Sequence, residues 1–266
     1  MISFLRCGSQ VVRPESAKLS FVGSIPTRTS ILFLFAGALW GMEPEAILEA
    51  ALNVQRELRP KLQHYLGQED IRYFQVMASG RRKQTGWETY DVFEGARGPA
   101  YRLVARNGKP VKSGGPARRG ERGRMAFPVE DLRHNHTLSL RGEATLLGRR
   151  CWVLEAMLDP SAPDIVDRAR GMTASDATLW IDQETFWILR LEARLRRFWA
   201  NFAEGSLVTT REALFHDGLP LTGLIRLRLL SPADRNGRRI VRETEQSYSR
   251  YRRFGAESTI EFSPVQ

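Results

Sequence analysis

The residues best equipped for chemistry are few. His134-Asn-His136 sets two imidazoles two positions apart, a spacing that on a strand turns both to one side, as a shared metal would require. Third and fourth ligands are missing from the neighbourhood: His64 and His216 belong to other elements, and no carboxylate pair is spaced to help. The pair therefore reads as polar residues at a strand entrance, with no metal. Serine-type acyl chemistry needs a nucleophile on a strained turn, and Gly-x-Ser-x-Gly does not occur. The phosphate-cradling Gly-x-x-x-x-Gly-Lys-Ser/Thr loop and the dinucleotide fingerprint are absent too. The chain is read as a binding protein, not an enzyme, with no cofactor.

What remains is charge and grease. The 266 residues carry a formal charge of +10, and the sequence pI of about 10.2 favours an anionic partner such as nucleic acid, phospholipid or an acidic protein. The glycine- and arginine-rich stretch from Lys112 to Arg124 reads as a solvated loop. Its Arg118, Arg119, Arg122 and Arg124 are candidates for contact with an anionic membrane surface or partner. Tyr248, Tyr251 and Phe254 alternate with Arg250, Arg252 and Arg253, which would suit stacking on single-stranded nucleic acid. A charged outer strand face with aromatics turned inward explains the same pattern and is preferred, so no nucleic acid is expected. Trp180, Trp187, Phe198, Trp199 and Phe202 form the densest aromatic group, for which core packing is the default.

The amino terminus argues for export. Ile31 to Met42 is an uncharged apolar run of signal-peptide length, too short to span a bilayer comfortably, and Ala36-Gly-Ala38 offers the small-x-small pattern of a cleavage site. Residues 1–38 are read as a signal peptide, with a second possible cut near Gly41 and a start codon that is placed early. Loss of Arg6, Arg13, Lys18, Arg28 and Glu15 takes the charge from +10 to +7. The protein is then periplasmic; the alternative is anchoring by an uncleaved signal segment. The cysteines, Cys7 and Cys151, leave a single thiol after cleavage, which excludes a disulfide framework.

Residues 43–266 are read as one domain. Ile47, Leu48, Ala51, Leu52, Leu58, Leu62 and Leu66 recur at helical spacing, which predicts a helix from Glu43 to Leu66 that Pro60 bends or divides. From Asp70 the period changes to two. Residues 71–77, 87–93, 101–105, 137–147, 151–158, 178–182 and 186–197 read as strands, with further strands around 222–229 and 240–251. Gly148-Arg-Arg marks a hairpin, residues 159–175 a long excursion, and Asp182-Gln-Glu-Thr185 a tight turn whose aspartate caps backbone N–H groups. In 186–197, Trp187, Leu189, Leu191, Ala193 and Leu195 are expected to share a dry face. Nine or ten strands with one long helix imply a mainly β, α+β fold: a strongly curved antiparallel sheet, an open half-barrel, with helices covering its concave face.

Trp180-Ile-Asp182 with Thr185, then Asp217-Gly-Leu-Pro220, then Tyr248-Ser-Arg-Tyr-Arg-Arg-Phe254, resemble the carboxy-terminal half of outer-membrane lipoprotein-sorting proteins of the LolA type. The resemblance implies a half-barrel that holds acyl chains of lipoproteins or other lipids in the periplasm. The expected function is that of a non-enzymatic carrier or binder of lipid or lipoprotein acyl chains in a hydrophobic cavity. Trp180, Trp187, Leu189, Leu191, Ile225 and Leu227 are the candidate cavity residues. The alternatives are an envelope structural or sensing module that binds a protein partner, or a basic nucleic-acid-binding protein if the chain is not exported.

Overall fold

A computed structural model of the protein describes residues 42–62, 65–77, 79–95, 98–111, 118–119, 129–130, 132–162, 174–197, 203–231 and 240–253. Gly41–Gln266 forms one compact unit. The segment read as a signal peptide lies outside the described residues. So do Arg122, Arg124, Phe198, Trp199, Phe202 and Phe254.

Helix α1 spans Pro44–Leu58. Pro44 suits the first turn because its missing N–H would have no partner there, and Glu45 and Arg56 sit at the ends that favour their charges. The helix stops short of the expected Leu66. Pro60 has no N–H to continue the ladder; Arg59 keeps helical backbone and donates to the Gln55 carbonyl, after which residues 59–62 form a turn, with the Lys61 and Leu62 amides donating to the Leu58 carbonyl.

Twelve strands follow: β1 (Tyr65–Val76), β2 (Arg82–Gly95), β3 (Gly98–Arg106), β4 (Lys109–Pro110), β5 (Arg118–Arg119), β6 (His136–Leu146), β7 (Arg149–Leu158), β8 (Ser175–Asp182), β9 (Ile188–Leu195), β10 (Leu207–His216), β11 (Leu219–Leu230) and β12 (Val241–Arg253). A one-turn helix, α2 (Leu132–Asn135), precedes β6 and holds His134 of the histidine pair. His136 instead opens β6, with Nε2 2.9 Å from the Ser175 carbonyl oxygen. The β6–β7 turn is Leu147-Gly148, both with positive φ (53° and 76°), as a two-residue hairpin turn demands.

All pairings are antiparallel, in the order β4-β3-β2-β1-β12-β11-β10-β9-β8-β7-β6, with β5 beside β3. The sheet does not close. It consists of two meanders joined where the first strand meets the last, in a register running from Tyr65↔Arg253 to Val76↔Val241. Register shifts interrupt β1, β2, β6, β9 and the β10–β11 pair. Each adds bend and twist to a sheet too wide to stay flat.

Cross-strand pairs share a face, so the registers trace rows across the sheet. One row runs Leu154–Leu179–Leu191–Arg211–Ile225–Gln246–Ile71–Glu88. Its first three members pack with Ile47, Leu48, Ala51 and Leu52 of α1 and with Val129 and Leu132, so this is the covered, inner face. Farther along, Leu58, Leu62, Tyr65, Leu221, Ile225, Tyr248 and Tyr251 form a second buried cluster. The outer face carries the row Val153–Trp180–Arg190–Glu212 and exposed ion pairs such as Arg226 with Glu245.

In β9 the dry face expected from alternation holds for Leu191, Ala193 and Leu195, which are buried, and breaks before them. A register shift between Trp180↔Arg190 and Ile181↔Ile188 makes Leu189 an extra residue. Ile188 joins Leu191 in the inner core, whereas Leu189 packs with Cys151 and Ala213 in a separate cluster. Trp187 lies before the strand begins.

Two substitutions test this packing in the full chain by denaturant unfolding. Leu52→Ala removes a side chain that is 1 % exposed under α1 and is expected to cost about 2–5 kcal/mol. A Cβ on Gly223 would stand 2.7 Å from the Leu214 Cβ, so Gly223→Ala is expected to cost about 1–3 kcal/mol by overpacking. A midpoint unchanged in either variant contradicts the packing described.

Candidate functional site

The inner face changes character from one end to the other. Beneath α1 it is apolar and filled by its own side chains. Toward β12, β1 and β3 its centre is polar and still enclosed: Glu69 is 0 % exposed, and Tyr248 and Tyr101 are each 5 % exposed. The Tyr248 hydroxyl donates to Glu69 Oε1 at 2.7 Å. Burial, followed by the charge of Glu69, raises the Tyr248 pKa far above that of an ordinary phenol, so it remains a donor at any physiological pH.

Arg211 projects from β10 onto this face between Leu191 and Ile225. Desolvation lowers its pKa, opposed by Tyr248 and Tyr101, yet the residue keeps accessible surface. The guanidinium is thus desolvated on the inner face while the residue as a whole is only half-buried. It is an enclosed inner-face cation that sequence reasoning missed. The only signal available was a charge between Thr210 and Glu212 whose face the β9 register shift obscures.

Two further rows lead outward to the open end. Ala156, Ala177, Ala193 and Thr209 pair in sequence and continue through Leu227, Thr244, Tyr73 and Gly86. The outermost row is Leu207–Leu229–Arg242–Gln75–Lys83. Small residues keep the floor low in the first, and Leu227, Leu229, Leu207, Tyr73 and Leu103 are only half-buried. Glu88 borders this zone, accepting from Tyr73 and Tyr90 at 3.0 Å each and from Arg106 at 2.9 Å. Burial pushes its carboxyl up, but these three donors outweigh burial and leave the pKa lowered.

The six candidate cavity residues separate. Leu191 is in the core under α1, Ile225 in the second cluster, and Leu227 beside it on the open inner rows. Trp180 lies on the outer face under the Arg190 guanidinium, 4.7 Å from the ring centroid. Leu189 and Trp187 pack around Cys151, Ala213 and Phe215, where Arg149 sits over the Trp187 and Phe215 rings; Trp187 also packs against the second cluster, with Ile225 and Leu227. Burial, and then Asp182, pushes the Cys151 thiol pKa up. The Asp182 turn is held by side chains: its carboxylate accepts from Arg149 at 2.7 Å and from the Thr185 hydroxyl. Arg118 and Arg119 belong to β5, whose backbone pairs with Tyr101 and Ala100 of β3. Among the described residues, no three His, Cys, Asp or Glu side chains are grouped for a metal. No helix among them is long and apolar enough to cross a membrane.

No family model matches the chain, and no curated protein matches it. Among solved structures it is similar to a DUF1329 family protein from Desulfovibrio piger, 14 % identical with a TM-score of 0.38, covering 82 % of this chain and 96 % of that one. It is also similar to a LolA superfamily protein from Nitrosomonas europaea, 13 % identical with a TM-score of 0.38, covering 81 % and 95 %. A third is a putative outer membrane lipoprotein-sorting protein domain from Vibrio parahaemolyticus, 13 % identical with a TM-score of 0.35, covering 80 % and 95 %.

Tyr248→Phe is expected to cost about 1–3 kcal/mol, because it strips a donor from a carboxylate with no exposure; a midpoint equal to wild type in urea unfolding contradicts this. Glu88 gives a pH signature. With its folded pKa lowered, its contribution is complete above the unfolded value of about 4.3 and is lost as pH falls through the folded one. The stability gap between wild type and Glu88→Gln is therefore widest near neutrality and closes on acidification. A gap that widens in acid reverses the sign.

Proposed function

We propose that the protein is a periplasmic, non-enzymatic carrier or binder of lipid or lipoprotein acyl chains, which lie along the inner face of the half-barrel. The observation that carries this reading is the pair of outward rows: Leu227, Leu229, Leu207 and Tyr73 stay half-buried on a face that is dry everywhere under α1. Apolar side chains in a concave strip, neither sealed by the protein nor fully in water, gain by contact with a hydrocarbon chain. Each methylene transferred from water contributes about 0.8 kcal/mol.

In this reading Ile225 and Leu227 touch the acyl chain, and Leu191 supports it from the filled core. Arg211, with the phenols of Tyr248 and Tyr101 near it, bounds the strip on its inner side and meets the polar end of an amphiphile. Binding needs no covalent step. Release follows when a better hydrophobic acceptor competes for the chain. Residues 1–38 act as the export signal, and 43–266 as the binding domain.

Fatty-acid probes of increasing length test the proposal. Affinity is expected to rise about fourfold per methylene, which is ~0.8 kcal/mol each, until the strip is filled. Leu227→Glu is expected to weaken binding at least tenfold while Leu147→Glu, at the β6–β7 turn, leaves it unchanged. An affinity flat across chain length, together with protein that is consistently empty in native mass spectrometry after gentle purification, would favour the protein-binding envelope module instead.

A further inference from the structure

The open end of the inner face is built as a docking edge. The β1–β2 hairpin ends there in a tight turn, with the Met77 amide donating to the Arg81 carbonyl at 2.9 Å and the Gly80 amide to the Met77 carbonyl at 2.8 Å. Gly80 has φ +81°, and a Cβ there would meet nothing within 4 Å, so the turn points into open space. Val76 pairs with Val241, and the next residues outward on the two strands are Met77 and Ile240. Each is 40 % exposed, and they are two of the six large apolar side chains that the described residues leave exposed. Ile240 is fixed in place: its carbonyl accepts from the Ser231 amide, and its amide donates to the Ser231 hydroxyl, both at 2.9 Å.

Cations surround this apolar pair. Arg81 lies in the turn, and Lys83 and Arg242 flank Gln75 from either side in the outermost inner-face row, next to Leu229. All three are exposed, and none has an ion pair among the described residues. Their neighbour Arg82 behaves differently: it bonds Glu243 at 2.8 Å and Glu245 at 3.5 Å, and lies 3.9 Å over the Phe74 ring. The acids near the tip are thus already matched to Arg82, Arg226 and Arg228, which leaves Arg81, Lys83 and Arg242 unneutralised.

We propose that this tip docks on an anionic phospholipid bilayer, with Met77 and Ile240 entering the headgroup–acyl boundary and Arg81, Lys83 and Arg242 meeting lipid phosphates. Two exposed apolar side chains side by side at the base of a tight turn are suited to shallow insertion. Cations placed just behind them lie at the depth of the phosphates. An acidic protein would satisfy the charges, but two apolar side chains are far less than the apolar core of a stable protein interface. The contact sets the outermost row, Leu207 to Lys83, against the membrane, so the open strip of the sheet faces the lipid. The site differs from Arg118–Arg124, the loop expected from sequence to carry this contact.

Vesicle flotation of the full chain tests the proposal. At low salt the protein is expected to float with vesicles containing phosphatidylglycerol and to stay behind with pure phosphatidylcholine. Arg81→Gln/Lys83→Gln/Arg242→Gln is expected to lower partitioning about a hundredfold, which is ~1 kcal/mol per cation; Met77→Ser/Ile240→Ser is expected to lower it at least tenfold. The control Arg102→Gln/Arg141→Gln/Arg150→Gln removes the same charge from ion-paired sites elsewhere and is expected to retain more than half the binding. No flotation with anionic vesicles overturns the proposal. So does an equal loss in the control, which assigns attraction to net charge alone. A thermal melt of each variant screens for misfolding, since every substituted side chain is exposed. Fatty-acid affinity is measured separately, so docking and cargo binding fail independently.

Discussion

Everything in this molecule depends on one pairing, that of the first strand with the last. β1 and β12 run in register over almost their whole lengths, and without that ladder the chain would be two separate curled sheets with four edges between them. The residues joined are some 180 positions apart, as with Tyr248 and Glu69, so closing the seam carries a loop-closure entropy cost. Once formed, it makes one inner face out of two meanders. The inner face then has more surface than one fifteen-residue helix can cover.

That shortage explains the gradient across the sheet. α1 fills the part above β7, β8 and β9, where leucine, isoleucine and alanine meet it. The seam brings a different set of side chains to the middle, and there Glu69, Tyr248, Tyr101 and Arg211 are polar yet enclosed. Buried ionisable groups are poor stabilisers compared with hydrophobic residues of similar volume. Their presence makes sense where the interior must meet something polar besides itself. Beyond them the floor drops to alanine, threonine and glycine before the open row begins.

Much of this was legible in the sequence. The change of period after α1, the Leu147-Gly148 turn and the tight turn after Asp182 are local events, and local chemistry predicts them. Apolar spacing carries the expected helix eight residues past Leu58 because Leu62 and Leu66 continue it; only the donor lost at Pro60 distinguishes a turn from a continued helix. The face of Leu189 was unreadable for a related reason. A single extra residue reverses the side on which a strand's alternation falls, and nothing in Ile188-Leu-Arg-Leu191 marks where the partner strand absorbs it. Trp180 drew attention as a large aromatic beside apolar neighbours, but Arg190 provides for it on the outer face.

The sequence alone determined the class of structure, because strand period, turn residues and one amphipathic helix are properties of neighbouring residues. It also determined the surplus of positive charge and the lack of a catalytic or phosphate-binding motif. Tertiary structure decided which residues meet. Arg211 came near Tyr248 and Tyr101, Met77 came beside Ile240, and the small side chains of Ala156, Ala177, Ala193 and Thr209 lined up across four strands, all through registers that long-range hydrogen bonding selects and that no local pattern encodes.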